Sequence, residues 1–145
     1  MAYHKIYESF YWLGGHADGE EDFLGVAERE IREETGLQKF ALTKPRIVML
    51  NTMVVCQHEK RGQKIAGHVH LDIVHVFVAD ESQEIRIKPD ENARVEWIPV
   101  DQIDKLVAAR EMRDVAHRTL ARIAELKQDR KGNICVEPEP DQRER

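Results

Sequence analysis

Hydrophobic and polar positions change period several times along the chain, and each change marks an element. Residues 2–13 (AYHKIYESFYWL) are rich in aromatic and β-type residues and predict an extended segment. Gly14-Gly15 and then Asp18-Gly19 break it into a loop. Phe23, Ala27 and Ile31 recur at i+4 and predict a helix with one apolar stripe. Asp22 suits its N-cap, Gly25 is a mild fault inside it, and Gly36 suits its C-terminal stop. Residues 46–56 (RIVMLNTMVVC) read as a buried strand and 68–78 (HVHLDIVHVFV) as a second. The polar, basic stretch 57–67 connects them. Further on, 86–88 suggest a short strand, 89–92 (PDEN) a turn, and 95–98 (VEWI) a last strand. Residues 100–109 and 111–127 predict helices, the second with Met112, Val115, Leu120 and Ile123 on its apolar side. From 128 to 145 the chain is charged and proline-bearing with no apolar period, which predicts a frayed tail after a domain spanning 1–127. Strands interleaved with helices place the fold in the α/β (α+β) class.

One turn of the first helix breaks the rules that make helices stable. Glu30, Glu33 and Glu34 stand at i, i+3 and i+4, where like charges are surface neighbours and destabilise a bare helix. Glu33 and Glu34 also fall in the last turn, where the helix dipole disfavours anions. Two broken rules in one turn call for a compensating partner. The simplest is a hard divalent cation, since Mg²⁺ takes a few carboxylates together with phosphate and water. By periodicity the acidic cluster lies beside the apolar stripe.

Composition narrows the classes. A chain of 145 residues suits one domain with one core, and 41% apolar with 34% charged residues describes a soluble globular protein. A formal net charge of −5 argues against broad nucleic-acid binding by phosphate neutralisation. Cys56 and Cys135 form no CxxC pair and read as reduced thiols of a cytoplasmic protein. No apolar run approaches the ~18–20 residues that span a bilayer. Residues 1–13 carry His4, Lys5 and Glu8 where a secretory leader would be apolar.

The stretch from Gly15 to Leu37 resembles the Nudix box: Gly, five residues, Glu, seven residues, then Arg-Glu-apolar-any-Glu-Glu-any-Gly-apolar. Gly15, Glu21, Arg29, Glu30, Ile31, Glu33, Glu34, Gly36 and Leu37 fill every fixed position. Residues 96–100 (EWIPV), followed by Asp101-Gln102-Ile103, are similar to the Trp-containing last strand and following helix of these domains. The resemblance implies a MutT-like α/β/α sandwich with a mixed sheet, the box forming loop–helix–loop. It implies Mg²⁺ or Mn²⁺ held by Glu30, Glu33 and Glu34 with the Gly14 carbonyl. Arg29 would orient the glutamates, Glu21 would brace Arg29, and Gly15 and Gly36 would allow the turns. It also implies a small, nucleotide-like substrate, with a homodimer as one assembly. Only 14 residues precede Gly15, fewer than Nudix domains usually carry. By that comparison the family's first strand is missing, Met1 is an internal start, or a partner chain completes the sheet.

The chemistry agrees with the resemblance. A pyrophosphate linkage repels an attacking water, and a divalent metal neutralises the phosphate oxygens, positions the water and lowers its pKa. Glu33 or Glu34, or a further loop acid, Glu91 or Glu96, would take the proton, with Glu91 preferred for its place in a turn. His68, His70 and Asp72 alternate and share one strand face. They are open to three readings: solvated polar positions, substrate contact through His70, or metal ligation. Lys60, Arg61 and Lys64 make a basic connection, either a solvated turn or a contact for substrate phosphate. Tyr11 and Trp12 suit the core, or stacking on a base. Trp97 suits packing. Against hydrolysis stands a binding alternative, a nucleotide sensor of the same fold that does not turn over. The box leaves the substrate open, because a fold does not name a function.

Overall fold

A computed structural model describes residues 1–5, 7–60, 62–87 and 92–129, of which 58, 60 and 129 by backbone alone. The aromatic opening segment folds into a hairpin instead of one extended run. Strand β1 (Ala2–His4) pairs antiparallel with β2 (Ser9–Tyr11), and Glu8 takes a left-handed backbone (φ 47°) at the turn between them. Helix α1 (Phe23–Thr35) then begins and ends where the sequence places it. The Asp22 carboxylate accepts from the Gly25 amide (3.1 Å), satisfying a donor that the first turn leaves unpaired. Gly36 closes the helix in the left-handed region (φ 72°), and its amide donates to Arg32 O (2.9 Å). The apolar stripe is shifted from the one expected. Val26, Ile31, Glu34 and Thr35 face inward, Ala27 is half-buried, and Phe23 in the first turn is exposed.

Strand β3 (Phe40–Leu42) precedes β4 (Met49–Val55), which enters a long hairpin. β4 pairs with β7 (His68–Val74) over seven positions, from Met49↔Val74 to Val55↔His68. Between them β5 (His58–Lys60) and β6 (Gln63–Ile65) continue the hairpin to a tip at Gly62 (φ 77°), so the polar connection is itself mostly strand. The apolar run 46–56 is buried on one face only. Alternation puts Leu50, Thr52 and Val54 with Val69, Leu71 and Ile73 on the outer face, where Leu71 is 80% and Val54 73% exposed. The expected strand 68–78 breaks at His75-Val76 and resumes as β8 (Phe77–Ala79), which pairs with β3.

The expected strand at 86–88 does not form at Arg86 and Ile87, and 88 lies outside the described residues. The Arg86 amide donates to Thr35 O (2.7 Å), so this segment tethers to the end of α1 in place of a strand partner. Of the expected turn, 89–91 lie outside the described residues and Asn92 already belongs to β9 (Asn92–Val95). β9 pairs antiparallel with β1 and completes a three-stranded sheet in the order β2, β1, β9. The last strand therefore begins and ends three residues earlier than 95–98. Its pairing is set by β1, a partner 90 residues away that local pattern does not encode.

A 3-10 turn (Val100–Gln102) and α2 (Ile103–Leu106) replace the single helix expected over 100–109, and α3 runs Arg110–Asp129. Helix therefore continues two residues into the expected tail, and 130–145 lie outside the described residues. The core joins sheet and helices: Phe10, Ile103, Val107 and Met112 are buried together, with Met53, Ile98, Ala116 and Leu120 packed against them. The chain is α+β as expected. Every strand pairing among the described residues is antiparallel, so the parallel component of a mixed sheet is not among them.

Met112 is 1% exposed at the centre of that cluster. Met112→Ala is expected to cost about 2–5 kcal/mol, lost transfer energy plus a cavity. Urea unfolding should show a lower midpoint at unchanged slope.

Candidate active site

The site is built where the glycine loop meets α1. Glu34 is buried, and both its oxygens are in use. Oε2 accepts from the Gly14 amide (3.1 Å) and Oε1 from Asn92 Nδ2 (3.3 Å). The acidic cluster is thus partly on the inward face, not beside it. Charged-acceptor hydrogen bonds are the kind that make such burial tolerable. One carboxylate joins three elements: the loop, the helix and β9.

Glu30 lies one turn earlier with its side chain 15% exposed, while Glu33 is 43% exposed. Gly15 has a role that the turn alone does not explain. A Cβ there would stand 2.4 Å from the Glu30 carboxyl carbon, so the missing side chain is the space that Glu30 occupies.

Arg29 spans the acids from the solvent side. Its guanidinium lies 2.5 Å from Glu20 Oε1, 3.7 Å from Glu30 Oε1 and 3.9 Å from Glu33 Oε1. The Glu20 hydrogen bond is the main cause that raises its pKa above the ordinary arginine value, with the three carboxylate charges adding to it. The expected brace, Glu21, is displaced by its neighbour. Asp18 (φ 49°) and Gly19 (φ 95°) turn the chain, the Glu20 amide donates to Ala17 O (2.9 Å), and Glu20 is the acid delivered to Arg29.

The donor chemistry fits a hard divalent cation: carboxylates, a neighbouring peptide carbonyl at Gly14, and a cradle beside Gly15 that a Cβ would fill. Among the described residues, however, no three His, Cys, Asp or Glu side chains are gathered as a metal site. Glu34 is turned to Gly14 and Asn92, and Arg29 lies within 4 Å of both Glu30 and Glu33.

Glu91 and Arg61 lie outside the described residues, and Lys60 is placed on β5 by its backbone only. Glu96 pairs with Arg94 (3.3 Å), whose guanidinium also covers the Tyr3 and Phe10 rings at 4.8 and 5.0 Å. The amine of Met1 donates to Glu96 O (2.8 Å); burial lowers its pKa, and Glu34 and Glu96 oppose that.

His68, His70 and Asp72 share the inner face of the β4–β7 ribbon, as alternation requires. Asp72 accepts from Asn51 Nδ2 (2.8 Å), and Asn51 Oδ1 in turn accepts from Arg118 of α3 (2.8 Å). His70 faces His16, the residue after Gly15, ring edge against ring face at 5.0 Å. This contact carries the histidine strand to the glycine loop. Three participants escaped the sequence: Glu20, Asn92 and His16. Each is polar; Glu20 and His16 adjoin motif positions and Asn92 adjoins the candidate loop acid Glu91, which is the only local signal any of them gives.

An acidic loop–helix–loop is joined here to an antiparallel sheet through Glu34 and Asn92. The NUDIX domain family matches residues 4–120, and the chain belongs to that family. Membership supports pyrophosphohydrolase-type activity in general, and Nudix hydrolases generally use divalent metals. No curated protein matches the chain. Among the described residues no helix is long and apolar enough to cross a membrane.

Asn92 is 3% exposed and donates to a buried carboxylate. Asn92→Ala should therefore lose about 1–3 kcal/mol, the cost of under-satisfying a buried acceptor. Chemical denaturation measures it, and an unchanged midpoint would mean that the bond contributes nothing.

Proposed function

We propose that the protein is a metal-dependent hydrolase of the pyrophosphate linkage in a nucleoside diphosphate derivative or a related small molecule. The observation that carries this reading is the pairing of Glu34 with Gly14 and of Glu30 with the Gly15 cradle, which fixes two box acids against the glycine loop. Glu30, Glu33, Glu34 and the Gly14 carbonyl would hold Mg²⁺ or Mn²⁺. The metal supplies charge neutralisation at the phosphates and a water of lowered pKa. Arg29 keeps Glu30 and Glu33 oriented while Glu20 keeps Arg29 in place. Glu33, the most exposed of the three acids, has the freedom to take a proton from water, with Glu91 as a further base. His70, Lys60 and Arg61 contribute substrate contacts. The protein acts in the cytoplasm, and the uncharged outer face of the β4–β7 ribbon supports a homodimer.

The experiment is an activity screen with Mg²⁺ or Mn²⁺ over nucleoside triphosphates, dinucleoside polyphosphates and nucleotide sugars. Release of a nucleoside monophosphate, phosphate or pyrophosphate is expected from at least one of them. Glu33→Gln should cut kcat about 10²–10⁴-fold. Its melting temperature should hold, since the side chain is half exposed. Glu34→Gln is a harsher change, because an amide cannot accept from both Gly14 and Asn92 through two oxygens. A Glu33→Gln/Glu34→Gln protein with full activity would end the proposal. Thermal stabilisation by nucleotides without turnover in either metal would favour the non-hydrolysing sensor.

A further inference from the structure

His68 and His70 stand side by side on β7 with their Nε2 atoms 2.9 Å apart. The His68 Nδ1 atom lies 2.9 Å from Ala66 O. A carbonyl only accepts, so Nδ1 carries the hydrogen, and in the neutral ring Nε2 presents its lone pair. That lone pair faces His70 Nε2. A backbone carbonyl fixing one ring nitrogen while the other points at a shared space is the arrangement that orients metal-binding histidines. Two nitrogen ligands on a tetrahedral ion, each at ~2.0–2.1 Å, would be about 3.3 Å apart. The observed separation needs to open by a few tenths of an ångström, and the rings must turn so that both lone pairs converge on the ion.

We propose that His68 and His70 form a second cation site, for a late first-row divalent ion such as Zn²⁺, Ni²⁺ or Cu²⁺. Its chemistry is distinct from that of the carboxylate site: imidazole nitrogens select these ions, while carboxylates and water suit Mg²⁺ and Mn²⁺. Without the ion, the Nε2 hydrogen of His70 bridges the pair. On binding, that hydrogen leaves Nε2 and the His70 ring takes up the Nδ1–H tautomer, which turns the second lone pair to the ion. The two imidazoles would supply two of the ion's ligands. His16 borders the pair through its ring contact with His70, so the bound ion would sit next to the glycine loop. The proposal does not depend on pyrophosphate hydrolysis.

Metal-free protein titrated with Cu²⁺ and followed by electron paramagnetic resonance tests it. The expected spectrum shows superhyperfine splitting from two nitrogens at one equivalent. Zn²⁺ should shift the Nε2 resonances of His68 and His70 together. It should leave His75 and His117 in place, since these rings bond to Arg46 O and Asp104. His68→Gln and His70→Gln should each abolish the one-equivalent site while keeping the melting temperature. Glu33→Gln should retain it. Unchanged copper binding in His70→Gln, or loss of the site in Glu33→Gln alone, would overturn the assignment. If His70→Gln fails to fold, the resonance shifts in the unmutated protein still decide the question.

Discussion

Glu34 is a carboxylate held out of water, and the two donors that hold it come from opposite ends of the domain. Gly14 reaches it from the loop before α1, and Asn92 from the last strand, 58 residues after Glu34. Leaving an ionised group buried without partners is among the costlier faults a fold can carry. The geometry of the glycine loop, the pitch of α1 against the sheet and the position of β9 are therefore not independent. Around this point Glu30 fills the gap at Gly15, and β9 pairs with β1 to close the three-stranded sheet over Phe10.

Charge is handled differently on the two sides of the helix. Inside, Glu34 accepts from two neutral donors, Gly14 and Asn92. Outside, Glu30 and Glu33 share the looser field of Arg29, at distances beyond a close hydrogen bond. The difference matters chemically. A carboxylate bound by two short-range donors is a fixed point. One that faces a guanidinium at nearly 4 Å is held less closely. The crowding of three glutamates in one turn, unfavourable in an isolated helix, is met here by Gly14 and Asn92 on one side and Arg29 on the other.

Local chemistry was readable, and lateral contacts were not. Asp22 and Gly36 bound the helix because capping is a property of a few adjacent residues. The alternation of His68, His70 and Asp72 fixed their common face for the same reason. The box gave the identity of the acids, but periodicity put them all beside the core, while tertiary contact drew Glu34 into it. Strand limits failed where the partner is distant. β9 spans Asn92–Val95 because it pairs with β1, and 46–56 reads as buried although only one of its faces meets the core. Spacing also favoured Glu21 over Glu20, since nothing in a linear motif reports the turn at Asp18-Gly19 that decides between them.

The outer face of the β4–β7 ribbon has no charged side chain, in a chain where a third of residues are charged. Wherever such a face is left uncovered, what opposes further association is the charge on the rest of the molecule. That charge vanishes near a pI of about 5.8. The colloidal behaviour of the protein is thus tied to mild acidity through a surface that does not itself titrate.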